Sequence, residues 1–188
     1  MRSDQPLAAV SLVAGDLLGP NGRVLPGAAA RLYRQHQFEL TAGSVRNDRF
    51  RAGWYPDALI PVLHPGTGTP LGSARYAAMA FDLPAEQTHG FWVDLLVPGD
   101  APAGVYRGVY RLTAEGAAAA EIPVTLTVWD FALPEVPSVQ TALGSPADRM
   151  RGYYQKRSRA GKEKPPTDWA AVEEQCAALV SEHRINAT

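Results

Sequence analysis

Few residues in this chain are of a kind that does chemistry. Aspartate and glutamate total 19, histidine 4 and cysteine 1. The histidines stand at positions 36, 64, 89 and 183, with no HxH or HxxxH spacing and no paired cysteines, so a metal centre is not indicated. Cys176 falls within a helical pattern and reads as a small buried hydrophobe; a nucleophilic thiol would want a histidine and a cationic pocket. A P-loop, a GxGxxG following a strand and a GxSxG are all absent, and no cofactor is expected. Glycoside hydrolysis needs two carboxyls across a scissile bond, and no pair here is defensible from spacing. Asp94 and Asp130 lie in or at the end of strand patterns that explain them as solvent-face residues.

The aromatics are the other candidates. WYPDALIP (54–61) places Trp54 and Tyr55 before Pro56 and Asp57, and Trp92 lies in a later apolar run. Flat aromatic faces with a polar tip serve either as structural anchors or as stacking platforms for sugars. Pro56 drives Tyr55 into extended backbone. Pro61 keeps the segment out of a central strand, and Asp57 suits a turn. We read WYPDALIP as an ordered connection whose Trp54, Leu59 and Ile60 plug a sheet edge. Trp54, Tyr55, Asp57 and Trp92 are the candidates for carbohydrate binding or for a domain interface.

Composition bounds what these residues can belong to. A chain of 188 residues, 46% hydrophobic and 20% charged, is ordinary for a globular domain. Its formal net charge of −1 gives no pull toward nucleic acid or a membrane surface. No run approaches the ~20 apolar residues of a membrane span. The N-terminus reads as a strand rather than a secretion signal, so export would require a signal upstream; otherwise the location is cytoplasmic. Asn186-Ala-Thr188 matches a glycosylation sequon, a weak three-residue signal.

The elements follow from periodicity. Residues 7–13 read as a strand, GPNG (19–22) as a turn, 28–40 as an imperfect strand and 42–53 as a loop. FWVDLLV, VYRGVYRLTA and IPVTLTVWDF alternate apolar and polar residues and are joined by short turns, which argues for antiparallel sheets packed on their apolar faces. PGDAPAGVY resembles a tyrosine corner, which makes Tyr106 a structural clamp, with a sugar-stacking tyrosine as the alternative. Gly104 and Gly108 then supply positive φ or close backbone approach.

The character changes at ALPEVPS (132–138), a proline-punctuated linker. VQTALG (139–144) is a short apolar run. The basic run at 149–164 reads as a solvated loop, with fast amide exchange expected across 145–166 and a phosphate- or nucleic-acid-binding patch as the alternative. Residues 167–184 read as a helix with Thr167 at its N-cap and a stripe of Trp169, Val172, Cys176, Leu179, Val180 and His183. A lone β–α unit cannot bury both its faces. Residues 138–188 are therefore expected to open an α/β domain that lies beyond the chain, with INAT starting its next strand. Without that domain, the helix should fold back onto the sheets or expose its stripe and self-associate.

In order and spacing, WYPDALIP, FWVDLLVPGDAPAGVYRG and IPVTLTVWDFALP resemble the N-terminal sandwich of glycoside hydrolase family 123 proteins, over roughly residues 7–144. The resemblance implies a mainly β protein: an antiparallel immunoglobulin-like β-sandwich (1–137), then one β–α unit of a truncated α/β barrel (138–188), with VQTALG as its first strand. It implies a non-catalytic accessory domain, inactive by itself, partnered by the downstream barrel of a parent glycoside hydrolase. No catalytic residue carries over, because the relatives' acidic pair lies late in the barrel. The runner-up is a free-standing carbohydrate-binding or immunoglobulin-like module. A glycan is an expected partner; nucleic acid and membrane are not.

Overall fold

The computed structural model describes residues 1–43, 46–64, 67–71, 78–134, 138–141, 144–161 and 164–185. The chain divides into two compact units, Met1–Phe131 and Ala132–Thr188.

Among its described residues the first unit has nine strands: β1 (Leu7–Val13), β2 (Leu17–Leu18), β3 (Val24–Leu25), β4 (Ala30–Leu40), β5 (Gly53–Pro61), β6 (Phe81–Leu83), β7 (Phe91–Leu95), β8 (Gly104–Glu115) and β9 (Ala120–Val128). They form a six-stranded antiparallel sheet ordered β3-β2-β8-β1-β6, with β9 also on β8, and a three-stranded sheet ordered β5-β4-β7. The twelve-residue β8 is the spine of the larger sheet. Its 104–112 stretch pairs with β9, while β2 and then β1 pair at 107–108 and at 111–115.

Alternation decides which residues are inside. Tyr106 and Tyr110 of β8 are buried, whereas Val105, Arg107, Val109 and Arg111 face out. Tyr106 and Tyr110 form a core with Leu12, Leu17 and Leu25. Leu32 of β4, Phe91, Val93 and Leu95 of the β7 strand, and Val124, Leu126 and Val128 of β9 pack against that cluster. A second cluster, Val10, Phe81 and Leu83, shares Phe91 and Leu112 with the first. Burial of this apolar surface, at about 25 cal/mol per Å², is the main force holding the unit together.

The tyrosine corner forms. Tyr106 is 0% exposed and its hydroxyl donates to the Pro102 carbonyl at 2.9 Å. Gly104 has φ +140°, and a Cβ there would stand 2.6 Å from Pro20 Cγ. A Cβ on Gly108 would run into the Asp16 carbonyl. Both glycines therefore do the work expected of them, one by conformation and one by close approach.

WYPDALIP is not a connection. It is most of β5, an edge strand paired with β4 along nearly its whole length. The prolines are tolerated because an edge strand leaves one side of its backbone unpaired. Register slips between Leu59↔Gln35 and Pro56↔Gln37, so Asp57 and Ala58 sit in a bulge. Trp54 and Leu59 do not plug an edge; both are exposed.

The second unit is helical among its described residues: α1 (Pro146–Arg159) and α2 (Trp169–Glu182). The described part of VQTALG carries no strand; Ala142 and Leu143, like Asn186-Ala187-Thr188 of INAT and the sequon, lie outside the described residues. From Arg149 to Arg159 the basic run is part of a helix rather than a loop; Lys162 and Glu163 lie outside the described residues. Ser145 caps the helix by accepting from the Asp148 amide at 3.3 Å, Pro146 opens it, and its last turn carries Lys156, Arg157 and Arg159, which suit the negative end of the helix dipole. α2 begins one residue later than its pattern suggested. Asp168, not Thr167, is the cap, accepting from the Ala171 amide at 3.0 Å.

The helices pair antiparallel. Tyr154 meets Trp169 edge-on at 6.1 Å, Cys176 Sγ contacts Met150 Sδ at 3.7 Å, and Arg151 bridges to Glu173. Cys176 is thus a half-buried packing residue. No residue of α2 is fully buried, and Leu179 of its stripe is 56% exposed.

Candidate functional site

The three-stranded sheet has an inner and an outer face. Leu32, Val93 and Leu95 pack inward. By alternation, Tyr33, Gln35, Gln37 and Glu39 of β4 look outward, and register places Trp92 opposite Tyr33 and Trp54 opposite Glu39. The outer face therefore carries both tryptophans, 57% and 48% exposed respectively for Trp54 and Trp92. Six β4 residues separate their register positions, or about 20 Å along the strand. They belong to two separate patches, not to one platform.

A groove of about 660 Å³ opens beside Trp54. Its sheet wall is Gln35, Gln37, Trp54 and Pro56; its other wall is Met1 and the 85–90 segment that leads into β7. Gln35 is held in place from both sides. Its backbone amide donates to the Gly90 carbonyl at 2.9 Å, and a Cβ at Gly90 would run into its carboxamide. Glu86, on the rim, is ion-paired with Arg2.

Beneath the groove lies His89, 5% exposed. Its ring packs on Phe81 at 5.3 Å between centroids. Arg34 lies over the same Phe81 ring, 3.7 Å from the centroid, and its Nη2 is 3.3 Å from His89 Nδ1. A guanidinium only donates, so Nδ1 is the acceptor and the proton sits on Nε2, 3.5 Å from Gln87 Oε1. Burial, and then the positive charges of Arg34, His36 and the N-terminus, hold the His89 pKa below its ordinary 6.5. The imidazole is a neutral structural pin for the 85–90 segment.

The sequence-nominated residues divide. Trp54 lines the groove. Tyr55, its neighbour on the opposite face, stacks on Phe50 at 6.3 Å and donates its hydroxyl to the Arg51 carbonyl at 2.5 Å, a local clamp. Asp57 lies exposed in the β5 bulge and is not a groove wall. Trp92 donates from Nε1 to Asp94 Oδ1 at 2.6 Å, well away along the sheet. Gln35, Gln37 and the 85–90 segment went unnominated. The alternation of Leu32, Arg34, His36, Phe38 and Leu40 implied that the glutamines between them share an outward face, but nothing local tied the 85–90 segment to it. Among the described residues, no group of three or more His, Cys, Asp or Glu side chains converges as a metal site would require.

These features define a mainly β antiparallel protein with an aromatic-and-amide groove on its smaller sheet. No protein-family model matches the sequence, and no curated protein matches it. Among solved structures, the chain is similar in fold to a family 123 glycoside hydrolase from Clostridium perfringens, described for glycolipid glycan hydrolysis, with a TM-score of 0.61 and 16% identity. The match covers 81% of this chain and 24% of that one, so this chain spans about a quarter of the hydrolase's length.

Proposed function

We propose that this chain is a non-catalytic, N-terminal immunoglobulin-like β-sandwich domain of a glycoside hydrolase-like protein, with residues 138–188 leading into a downstream carbohydrate-active (β/α)-barrel. Its role is to brace that barrel and to shape one wall of its cleft. The observation that carries the reading is the fold likeness to the family 123 hydrolase, which takes up most of this chain and only a quarter of that one. The helix pair supports it: Trp169 and Cys176 pack on α1, yet α2 fully buries no residue and leaves Leu179 of its stripe 56% exposed, as a helix awaiting a further neighbour would. The test has two parts. The DNA downstream of codon 188 should continue in frame with alternating strands and helices. The chain by itself should not turn over aryl glycosides, and genuine turnover defeats the accessory assignment.

A second reading, a free-standing carbohydrate-binding or immunoglobulin-like interaction module, is favoured by the exposed tryptophans of β5 and β7. Glycan binding by a chain whose gene ends at codon 188 would select it.

A further inference from the structure

We propose that the groove beside β4 and β5 is a binding site for neutral saccharides, with Trp54 stacking against a pyranose ring and the Gln35 and Gln37 carboxamides hydrogen-bonding its hydroxyls. This deepens the carbohydrate-binding reading by naming the site and the ligand class. It is compatible with the accessory role, because it does not depend on a barrel.

The lining chemistry selects the ligand. The indole of Trp54 stands more than half exposed beside Pro56, an apolar surface the fold itself leaves in water. A saccharide offers a matching C–H face. Each glutamine carboxamide supplies one acceptor oxygen and two N–H donors, a set that complements vicinal hydroxyls, each of which both donates and accepts. Gln35 and Gln37 alternate along β4, so their Cα atoms are about 7 Å apart on one face, and Gly90 confines the first of them. Thr88 is also among the lining residues and adds a hydroxyl.

Charge excludes the other candidates. Glu86, the acidic side chain of the lining, is paired with Arg2, and the Met1 amine donates to the His89 carbonyl at 2.9 Å. Among the described residues no lysine or arginine is in the lining, and Arg2 beside it is engaged by Glu86, so the lining offers a phosphate or sulfate no unpaired side-chain cation. A proline-rich peptide would use the indole, yet its prolines present carbonyl acceptors and no N–H, so it answers the amide oxygens less fully than paired hydroxyls do. The volume falls within the roughly 300–1,000 Å³ typical of small-molecule sites.

The experiment uses the full chain labelled with ¹⁵N and a panel of neutral oligosaccharides of hexoses and N-acetylhexosamines, with sulfated oligosaccharides and a proline-rich peptide as parallel arms. A neutral oligosaccharide should shift the Trp54 indole N–H and the Gln35 and Gln37 side-chain signals, with a Kd between about 10 µM and 10 mM. Trp54→Ala should weaken binding at least about tenfold, and Gln37→Leu about threefold or more. Both positions face solvent or groove, so both variants should keep the wild-type strand spectrum; if one does not fold, the other decides. The proposal is overturned if no neutral oligosaccharide at about 10 mM moves those signals, if the shifts map to Trp92, if Trp54→Ala leaves affinity intact, or if the sulfated or peptide arm binds the groove in preference. Turnover by the chain, or a gene that ends at codon 188, would sink the accessory reading and leave this one standing.

Discussion

Tyr106→Phe removes one oxygen from the middle of the larger sheet and tests the packing logic of the whole first unit. The ring is 0% exposed, and phenylalanine fills the same space, so no sizeable cavity forms. What is lost is the hydrogen bond to Pro102 at 2.9 Å. The net value of such a bond is about 0.5–1.5 kcal/mol, and the orphaned carbonyl adds desolvation cost toward the low end of about 1–3 kcal/mol because that site is only partly buried. The expected destabilisation is about 1–2 kcal/mol. Tyr110→Phe is the internal control. Tyr110 sits on the same buried face of β8, yet its hydroxyl makes no such bond among the described residues, so its loss should cost about 0.5 kcal/mol or less. Urea unfolding followed on β8 amides reads the difference. With a slope of about 2 kcal/mol per M, Tyr106→Phe should lower the midpoint by about 0.5–1 M with the slope unchanged. A shift below about 0.1 M, or an equal shift for Tyr110→Phe, would refute the claim that the corner bond holds the connection before β8.

Three further outcomes are expected. Gly104→Ala places a side chain at φ +140° and against Pro20, and should cost about 1–3 kcal/mol in the same unfolding assay. Because the folded pKa of His89 lies below the unfolded 6.5, the unfolded chain takes up a proton first as pH falls. Stability is therefore full above about pH 6.5 and declines below it, and His89→Gln should flatten that decline in thermal melts at stepped pH. Arg34, His36 and the N-terminus are the charged groups that, after burial, disfavour a proton on this ring. Ser145→Ala and Asp168→Ala each remove an N-cap and should each cost the helix pair about 0.5–2 kcal/mol, seen as lower ellipticity at 222 nm on mild heating.

Much of the β unit was legible because its signals are local. Alternation puts Val93, Leu95 and Val97 on one face of 91–97, and Ile122, Val124, Leu126 and Val128 on one face of 122–128; the structure packs Val93, Leu95, Val124, Leu126 and Val128, partly buried, against Leu12, Leu17 and Leu25, while Ile122 is 42% exposed. The tyrosine corner could be read from Tyr106, Gly104 and Pro102 lying within five residues. The misreadings came where context outweighed local signal. Pro56 and Pro61 argued against a strand, and an edge position with a bulge absorbed them. Gly152 and a run of like charges argued against a helix in 149–159, but a serine cap, Pro146 at the first position and packing on Trp169 and Cys176 favour one. The groove was half hidden for another reason. Trp54 advertised itself, whereas its opposite wall comes from residues some 30 positions later, and no spacing rule connects them.

The position of β1 has a consequence for how the molecule is made. Its neighbours are β8, where Ala8 pairs with Glu115, and β6, where Leu7 pairs with Leu83. A ribosome adding about 5–20 residues per second needs roughly 4–15 s to supply the nearer partner after β1 emerges and about 5–20 s for the farther one. During that wait the apolar face of LAAVSLV has no native partner, so the newborn chain is a natural client for holding factors. Loop closures of this span also favour slow folding once synthesis ends.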